Sequence, residues 1–232
     1  MTDRVAAVIL AAGRGSRVGA AVNKALIPVA GCPVLIHSLR AFARVAEIDE
    51  LIAVAAADEV GEVCRLVAAE GVPVRVVAGG ATRRASALAG VDTAAADLVL
   101  VHDAARPCVS EALIGRVLAA TRRHGACVPV LELADTVRDA TMGFLVRGTV
   151  CRRAGSARMQ TPQGARRDEL LAALACADEG VPDDAEALLQ HGVRVATVVG
   201  EPANLKITTP GDLRMVESLL LGGGFAATRR GG

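Results

Sequence analysis

A run of glycines followed by two cations sets the first chemical possibility in this chain. After an apolar segment over residues 5–10 come Ala11, Ala12, Gly13, Arg14, Gly15, Ser16, Arg17, Val18 and Gly19, with Lys24 five residues further on. Glycine lets a backbone crowd its N–H groups around an anion, and Arg17 and Lys24 can offset the anion's charge, so the spacing suits a phosphate. Two better-known phosphate loops fit the same glycines poorly. A dinucleotide fingerprint would need its third glycine one residue before Gly19 and an acid about 20 positions on, and a Walker loop would need a glycine where Asn23 precedes Lys24. A tight strand-to-helix turn carrying two solvated cations is the plainer alternative.

A second constellation reads Val99, Leu100, Val101, His102, Asp103, Ala104, Ala105, Arg106, Pro107. An apolar strand that ends in an acid lifts Asp103 to the carboxyl edge of a sheet, and the two small alanines after it leave room for a ligand. Magnesium takes one or two protein carboxylates and fills its other positions with water and substrate phosphates, so Asp103 alone could hold one. An ion pair from Asp103 to Arg106, capping a loop, is the competing reading. His102 reads as a structural hydrogen-bonder rather than a base. Near the far end Asn204, Lys206, Ile207 and Thr208 add one more cation, either a site lysine or a solvated strand-end residue.

These residues need a scaffold that brings distant loops together, and the periodicity supplies one. Short β-rich runs over 5–10, 51–56, 74–78, 97–102, 126–131 and 193–199 alternate with helical patterns over 33–46, 58–70, 82–95, 110–124, 166–178, 183–191 and 210–221. That alternation predicts an α/β fold with a mostly parallel central sheet. Pro33, Ser110 and Thr209 stand where helix starts want them. The segment over 132–157, with charges interleaved among short apolar pairs, breaks the rhythm. It reads as a projecting β-arm, with a surface loop as its rival. A single domain over 1–221 is expected, and the glycine- and arginine-bearing tail over 222–232 is expected to be disordered.

Composition narrows the partners. The chain has 232 residues, 26 Lys plus Arg against 25 Asp plus Glu, and only three aromatic residues, all Phe. Near-balanced charge and the lack of stacking platforms argue against nucleic acid and anionic membranes. Apolar runs fall well short of the roughly 20 residues that cross a bilayer. Six scattered cysteines without a C-x-x-C pair, and an N-terminus lacking a signal-like apolar region, lead us to expect a reducing cytoplasm.

Six motifs occur in order: A-A-G-x-G-x-R with a following Lys, G-G-x-x-R-x-x-S at 79–86, H-D-A-A-R-P at 102–107, D-T at 135–136, T-P-Q at 161–163 and N-x-K-[IV]-T at 204–208. Together they resemble the 2-C-methyl-D-erythritol 4-phosphate cytidylyltransferases of the non-mevalonate isoprenoid pathway. The resemblance implies a three-layer, Rossmann-like nucleotidyltransferase fold and transfer of CMP from CTP to the polyol phosphate with release of pyrophosphate. It further implies Mg2+ on Asp103 and a homodimer built through the β-arm. By similarity, Ala11, Ala12, Gly13, Gly15, Gly80 and Ser86 would hold the cytidine, and Arg17, Lys24 and Lys206 would surround the triphosphate. Asp103, Arg106, Thr136, Thr161 and, from the second subunit's arm, Arg152 would handle the acceptor.

The chain departs from the family pattern in places. Ala81 stands where an acid is usual, Pro182 where a Thr precedes two acids, Cys151 where Asp is common, and Asn23 where Pro precedes the lysine. These changes thin the acceptor clamp more than the catalytic cations. A cytidylyltransferase for another polyol phosphate such as ribitol 5-phosphate, a nucleotide-binding homologue without turnover, and a nicotinamide-dependent reductase are therefore weighed as alternatives.

Overall fold

The computed structural model describes residues 3–13, 23–141, 144–151 and 155–222, with backbone alone for 139–141 and 144–151. Expectations placed on Gly15, Arg17, Arg152 and residues 223–232 lie outside the described residues. In chain order the strands are β1 (Val5–Leu10), β2 (Pro28–Val29), β3 (Cys32–Pro33), β4 (Glu50–Ala55), β5 (Val74–Ala78), β6 (Leu98–Asp103), β7 (Ala126–Glu132), β8 (Val137–Thr141), β9 (Phe144–Cys151), β10 (Ala157–Met159), β11 (Gln163–Arg166) and β12 (Ala196–Val199). The helices are α1 (Val34–Ala43), α2 (Val60–Ala69), α3 (Arg83–Thr93), α4 (Glu111–His124), α5 (Arg167–Cys176), α6 (Asp184–Gln190) and α7 (Pro210–Leu221), and a 3-10 turn spans Lys24–Leu26.

The sheet runs β5, β4, β1, β6, β11, β7, β12, and its pairings are parallel except those made by β11 and by β10. β10 and β11 pair successive stretches of one edge of β7 while β12 pairs the other edge. An unbroken apolar strand is stable only when both faces are covered, and β1 shows how that is met. Its Val5, Ala7 and Ile9 join a core with Leu35 and Phe42 of α1, Val63 of α2 and Leu118 of α4. Ala6 and Val8 point the other way, into a core with Val91 of α3, Leu174 of α5 and Leu188 of α6. Side chains alternate across a strand, so one run of six residues feeds two helical layers, giving the three-layer α/β architecture. Each fully buried Val, Leu or Ile contributes about 1.5–3 kcal/mol.

The helix starts follow the expected chemistry. Ser110 accepts from the Leu113 N–H at 3.0 Å, and Thr209 and Asp212 form a reciprocal capping box ahead of α7. Pro33 sits at the N-cap of α1 rather than inside its first turn. Several short strands, β2, β3, β10 and β11, are absent from the sequence patterns, and one expected strand is shorter than its pattern. The strand expected over 193–199 begins only at Ala196, because Gly192, at φ +84°, ends α6 and the Val193 N–H turns back to Leu188 O. β11, four residues with no alternating pattern, is absent from the sequence reading. It lies between β6 and β7 because its neighbours complete its hydrogen bonds, and its own sequence does not announce a strand.

Within the 132–157 segment, β8 and β9 pair antiparallel as a separate two-stranded sheet. A small third core, Val29, Val34, Ile207 and Val216, seats α7 and the segment before it beside the β2–β3 hairpin.

Candidate active site

Sheet register creates the site. Leu10 of β1 pairs with Asp103 of β6, and Ala55 of β4 pairs with Ala78 of β5, so all four strands end on one rim. The chain leaves β1 toward β4 and β5, then returns to β6 on the other side of β1. Strands that depart in opposite directions leave a crevice at their carboxyl ends, where open α/β sheets bind ligands. A cavity of about 630 Å3 opens there.

Five of the residues expected to hold the nucleotide, Ala11, Ala12, Gly13, Gly80 and Ser86, line this cavity. Lys24, Asp103 and Lys206 line it as well, although they come from three separate segments. The turn after β5 must be glycine. A Cβ on Gly79 would lie 2.7 Å from Ser86 Oγ and 2.8 Å from Ala12 Cβ, and one on Gly80 would lie 2.4 Å from Ala85 Cβ. The loop can therefore lie flat on the start of α3, whose Ser86 hydroxyl donates to Thr82 O at 2.9 Å.

Asn23 sets where Lys24 stands. Its side-chain amide donates to Ala11 O at 2.5 Å and to Glu59 Oε2 at 2.6 Å, and its Oδ1 accepts from the Ala25 N–H at 3.0 Å. One buried side chain thus ties the end of β1 to the 3-10 turn that carries Lys24. The Lys24 ammonium reaches Thr208 O at 3.5 Å, two residues beyond Lys206.

Three cations, Lys24, Arg83 and Lys206, face one carboxylate, Asp103, among the described lining residues. Lys206 Nζ donates to Asp103 Oδ2 at 2.6 Å, and Arg83 Nε lies 3.4 Å from Asp103 Oδ1. Burial pushes the Asp103 carboxyl upward, but the Arg83 and Lys206 charges outweigh it and hold the group well below the usual carboxylate range. Asp103 is therefore an anion at neutral pH. Its partners are not the Arg106 considered from the sequence. The fork of Arg83 is taken by Asp184 of α6, NH1 to Oδ1 at 3.0 Å and NH2 to Oδ2 at 2.8 Å. Burial disfavours the Arg83 charge, yet Asp184 and Asp103 more than compensate and raise its pKa.

Behind Asp103 lies a buried polar layer. The Thr161 hydroxyl accepts from the Asp103 N–H at 3.1 Å and sits 3.0 Å from His102 Nδ1, while His102 Nε2 lies 3.1 Å from Arg106 O. The consistent tautomer has Nε2–H donating to the carbonyl and Nδ1 accepting from the hydroxyl. Burial pushes the imidazole pKa down to about 4, so His102 is neutral and structural. Arg106 donates to Asn204 O at 2.9 Å, and the Asn204 amide donates to Thr161 O at 2.8 Å.

Of the residues expected at the acceptor, Thr161 is only 3% exposed with its hydroxyl engaged in this layer, and Arg106 is half-buried beside it. Neither lines the cavity. Thr136 is exposed immediately before β8. Arg83 and Asp184 had no role assigned from sequence. Arg83 stood in plain view inside the G-G-x-x-R-x-x-S motif, and Asp184 is the second of the two acids that follow Pro182.

A family model described as 2-C-methyl-D-erythritol 4-phosphate cytidylyltransferase matches residues 5–221. A relative of that name from Frankia casuarinae is 41% identical over 224 residues, covering 94% of this chain and 82% of the relative. One from Nocardia farcinica is 42% identical over 218 residues, covering 93% and 94%. Among solved structures, the 2-C-methyl-D-erythritol 4-phosphate cytidylyltransferase of Thermus thermophilus aligns with TM-score 0.75 at 33% identity over 92% of this chain and 98% of that one. The 4-diphosphocytidyl-2C-methyl-D-erythritol synthase of Anaerococcus prevotii aligns with TM-score 0.80 at 28% identity, covering 94% and 96%. With the match spanning every strand of the sheet and both sides of the cavity, this chain belongs to the 2-C-methyl-D-erythritol 4-phosphate cytidylyltransferase family.

Proposed function

We propose that the chain transfers the cytidylyl group of CTP to 2-C-methyl-D-erythritol 4-phosphate and releases pyrophosphate. The observation that carries this reading is the convergence of Lys24 and Lys206 beside Asp103 at the switch-point cavity, in a chain of this family. In the reaction a phosphate oxygen of the acceptor attacks the α-phosphorus of CTP as the α–β phosphoanhydride bond breaks, and the pyrophosphate departs with the bonding electrons. Two anions must meet, and negative charge spreads over the equatorial oxygens in the transition state. The excess of cations lining the cavity offsets that charge. Because the nucleophile is already ionised, no strong base is required, in agreement with a neutral His102 buried away from solvent.

Roles follow from position. Lys24 and Lys206 neutralise the triphosphate, and the backbone at Ala11, Ala12, Gly13 and Gly80 with Ser86 receives the cytidine. By family resemblance alone, Arg17, Gly15 and, from a second subunit, Arg152 complete the set, and Thr136, Arg106 and Thr161 belong to the acceptor end, the last two from the buried layer behind Asp103 rather than from the cavity wall. Asp103 fits Mg2+ as a single-carboxylate ligand. It is ionised, it lines the cavity, and its Oδ2 is shared with a lysine that is 42% exposed. Water and substrate phosphates would supply the remaining ligands. Bound there, Mg2+ would withdraw charge from the phosphoryl oxygens.

A homodimer joined through the β8–β9 hairpin and a cytoplasmic location complete the proposal. No described helix is long and apolar enough to cross a membrane. The deciding experiment measures pyrophosphate release with CTP, Mg2+ and a panel of polyol phosphates that includes ribitol 5-phosphate. Turnover with 2-C-methyl-D-erythritol 4-phosphate well above the rest supports the reading. Preference for another acceptor, or nucleotide binding without turnover, would replace it.

A further inference from the structure

We propose that Asp184 is a positioning residue for this reaction, acting through Arg83. It grips both ends of the guanidinium fork, so that Arg83 offers Asp103 only its Nε. Two N–H···O bonds of 3.0 and 2.8 Å join Arg83 to Asp184, whereas the contact to Asp103 is single and long, at 3.4 Å. An arginine beside a lone carboxylate turns its fork to it and occupies both oxygens. Asp184 removes that option, and Asp103 keeps coordinating capacity for what binds in the cavity.

Three observations separate this role from a merely structural one. The Asp184 side chain is 1% exposed, a burial of charge that helix capping does not require. Capping is already done by Asp183, whose Oδ1 accepts from the Glu186 N–H at 2.9 Å. The start of α6 is also locked in place independently, since Gln163 Oε1 accepts from the Ala185 N–H at 2.8 Å. What Asp184 adds is a rigid anchor for a cation that lines the cavity and touches Asp103.

The inference rests on the cytidylyl-transfer reading above, and its test keeps the two apart. Steady-state pyrophosphate release would be measured for the wild type, Asp184→Asn, Arg83→Gln and the double variant, with CTP binding by calorimetry to count active sites. Small misplacements at a reacting centre cost rate rather than ground-state affinity. Asp184→Asn is therefore expected to lower kcat by about tenfold or more per active site while changing the KM for CTP less than about threefold. In the Arg83→Gln background, adding Asp184→Asn should change kcat less than about twofold, because its route of action is already gone.

Equal losses in both backgrounds, or a wild-type kcat in Asp184→Asn, would overturn the proposal while leaving the enzyme's identity intact. An inert wild type would instead sink the activity itself. If Asp184→Asn does not fold, Arg83→Lys decides the matter. It keeps the charge and loses the fork, so an unchanged kcat refutes the role and a loss of about tenfold supports it.

Discussion

Replacing Lys206 with alanine removes the closest contact to Asp103, the 2.6 Å bond from Nζ to Oδ2. Two quantities follow, and they differ by enough to be told apart. Lys206 is 42% exposed, so its ion pair is screened by solvent and contributes about 0–1 kcal/mol to folding. For a domain of this size that is a fall in Tm of at most about 2–4 °C. A cation placed where charge develops in a transition state is worth about 3 kcal/mol, and each 1.36 kcal/mol is a decade, so kcat should fall about 150-fold. Asp103 stays ionised in the variant because Arg83 remains beside it, so the acidic limb of the pH–rate profile should not move into the neutral range. The assay pairs pyrophosphate release under saturating CTP with a thermal melt. A folded Lys206→Ala protein that turns over within about threefold of the wild type would show that the lysine is a surface residue and that the electrostatic account of the site is wrong.

Lys24→Ala should likewise lose two to three decades of turnover with little change in Tm, scored in the same assay. Asn23→Ala strips the buried Ala11 carbonyl and the Ala25 N–H of their side-chain partner, so it should cost about 1–3 kcal/mol in denaturant unfolding and raise the Kd for CTP by displacing Lys24. His102 is neutral in the fold with its pKa lowered from 6.5 to about 4, so the unfolded chain takes up the proton more readily. The stability it contributes is complete above about pH 6.5 and is lost as pH falls toward 4, about 3 kcal/mol in all. Denaturant midpoints for wild type and His102→Gln across that window should converge as the pH drops, and parallel curves would rule the linkage out.

Much of the fold was legible because its signals are local. Runs such as 5–10 and 98–101 are apolar without alternation, which only a doubly covered strand tolerates, and the cap residues Ser110 and Thr209 mark helix starts through bonds to residues three positions away. The acid closing β6 was likewise readable, since its chemistry lies in residue type and its place at a strand end. β11 was not, because four residues without an alternating pattern become a strand only between two strands already in place. Asn23 looked like a mere departure from the family's proline, and only its three hydrogen bonds reveal a tie between the end of β1 and the turn that carries Lys24.

By itself the sequence determined the long buried strands and the helices that cover them, and which side chains carry charge suited to an anionic ligand. Local propensity and periodicity act over a few residues, and those questions are answered at that range. The tertiary structure alone decided which charges meet. Arg83 pairs with Asp184 across 101 positions and Lys206 with Asp103 across 103, because sheet order and helix docking bring their backbones to one rim. Electrostatic pairing depends on distance in space, and distance in space is a property of the packed sheet.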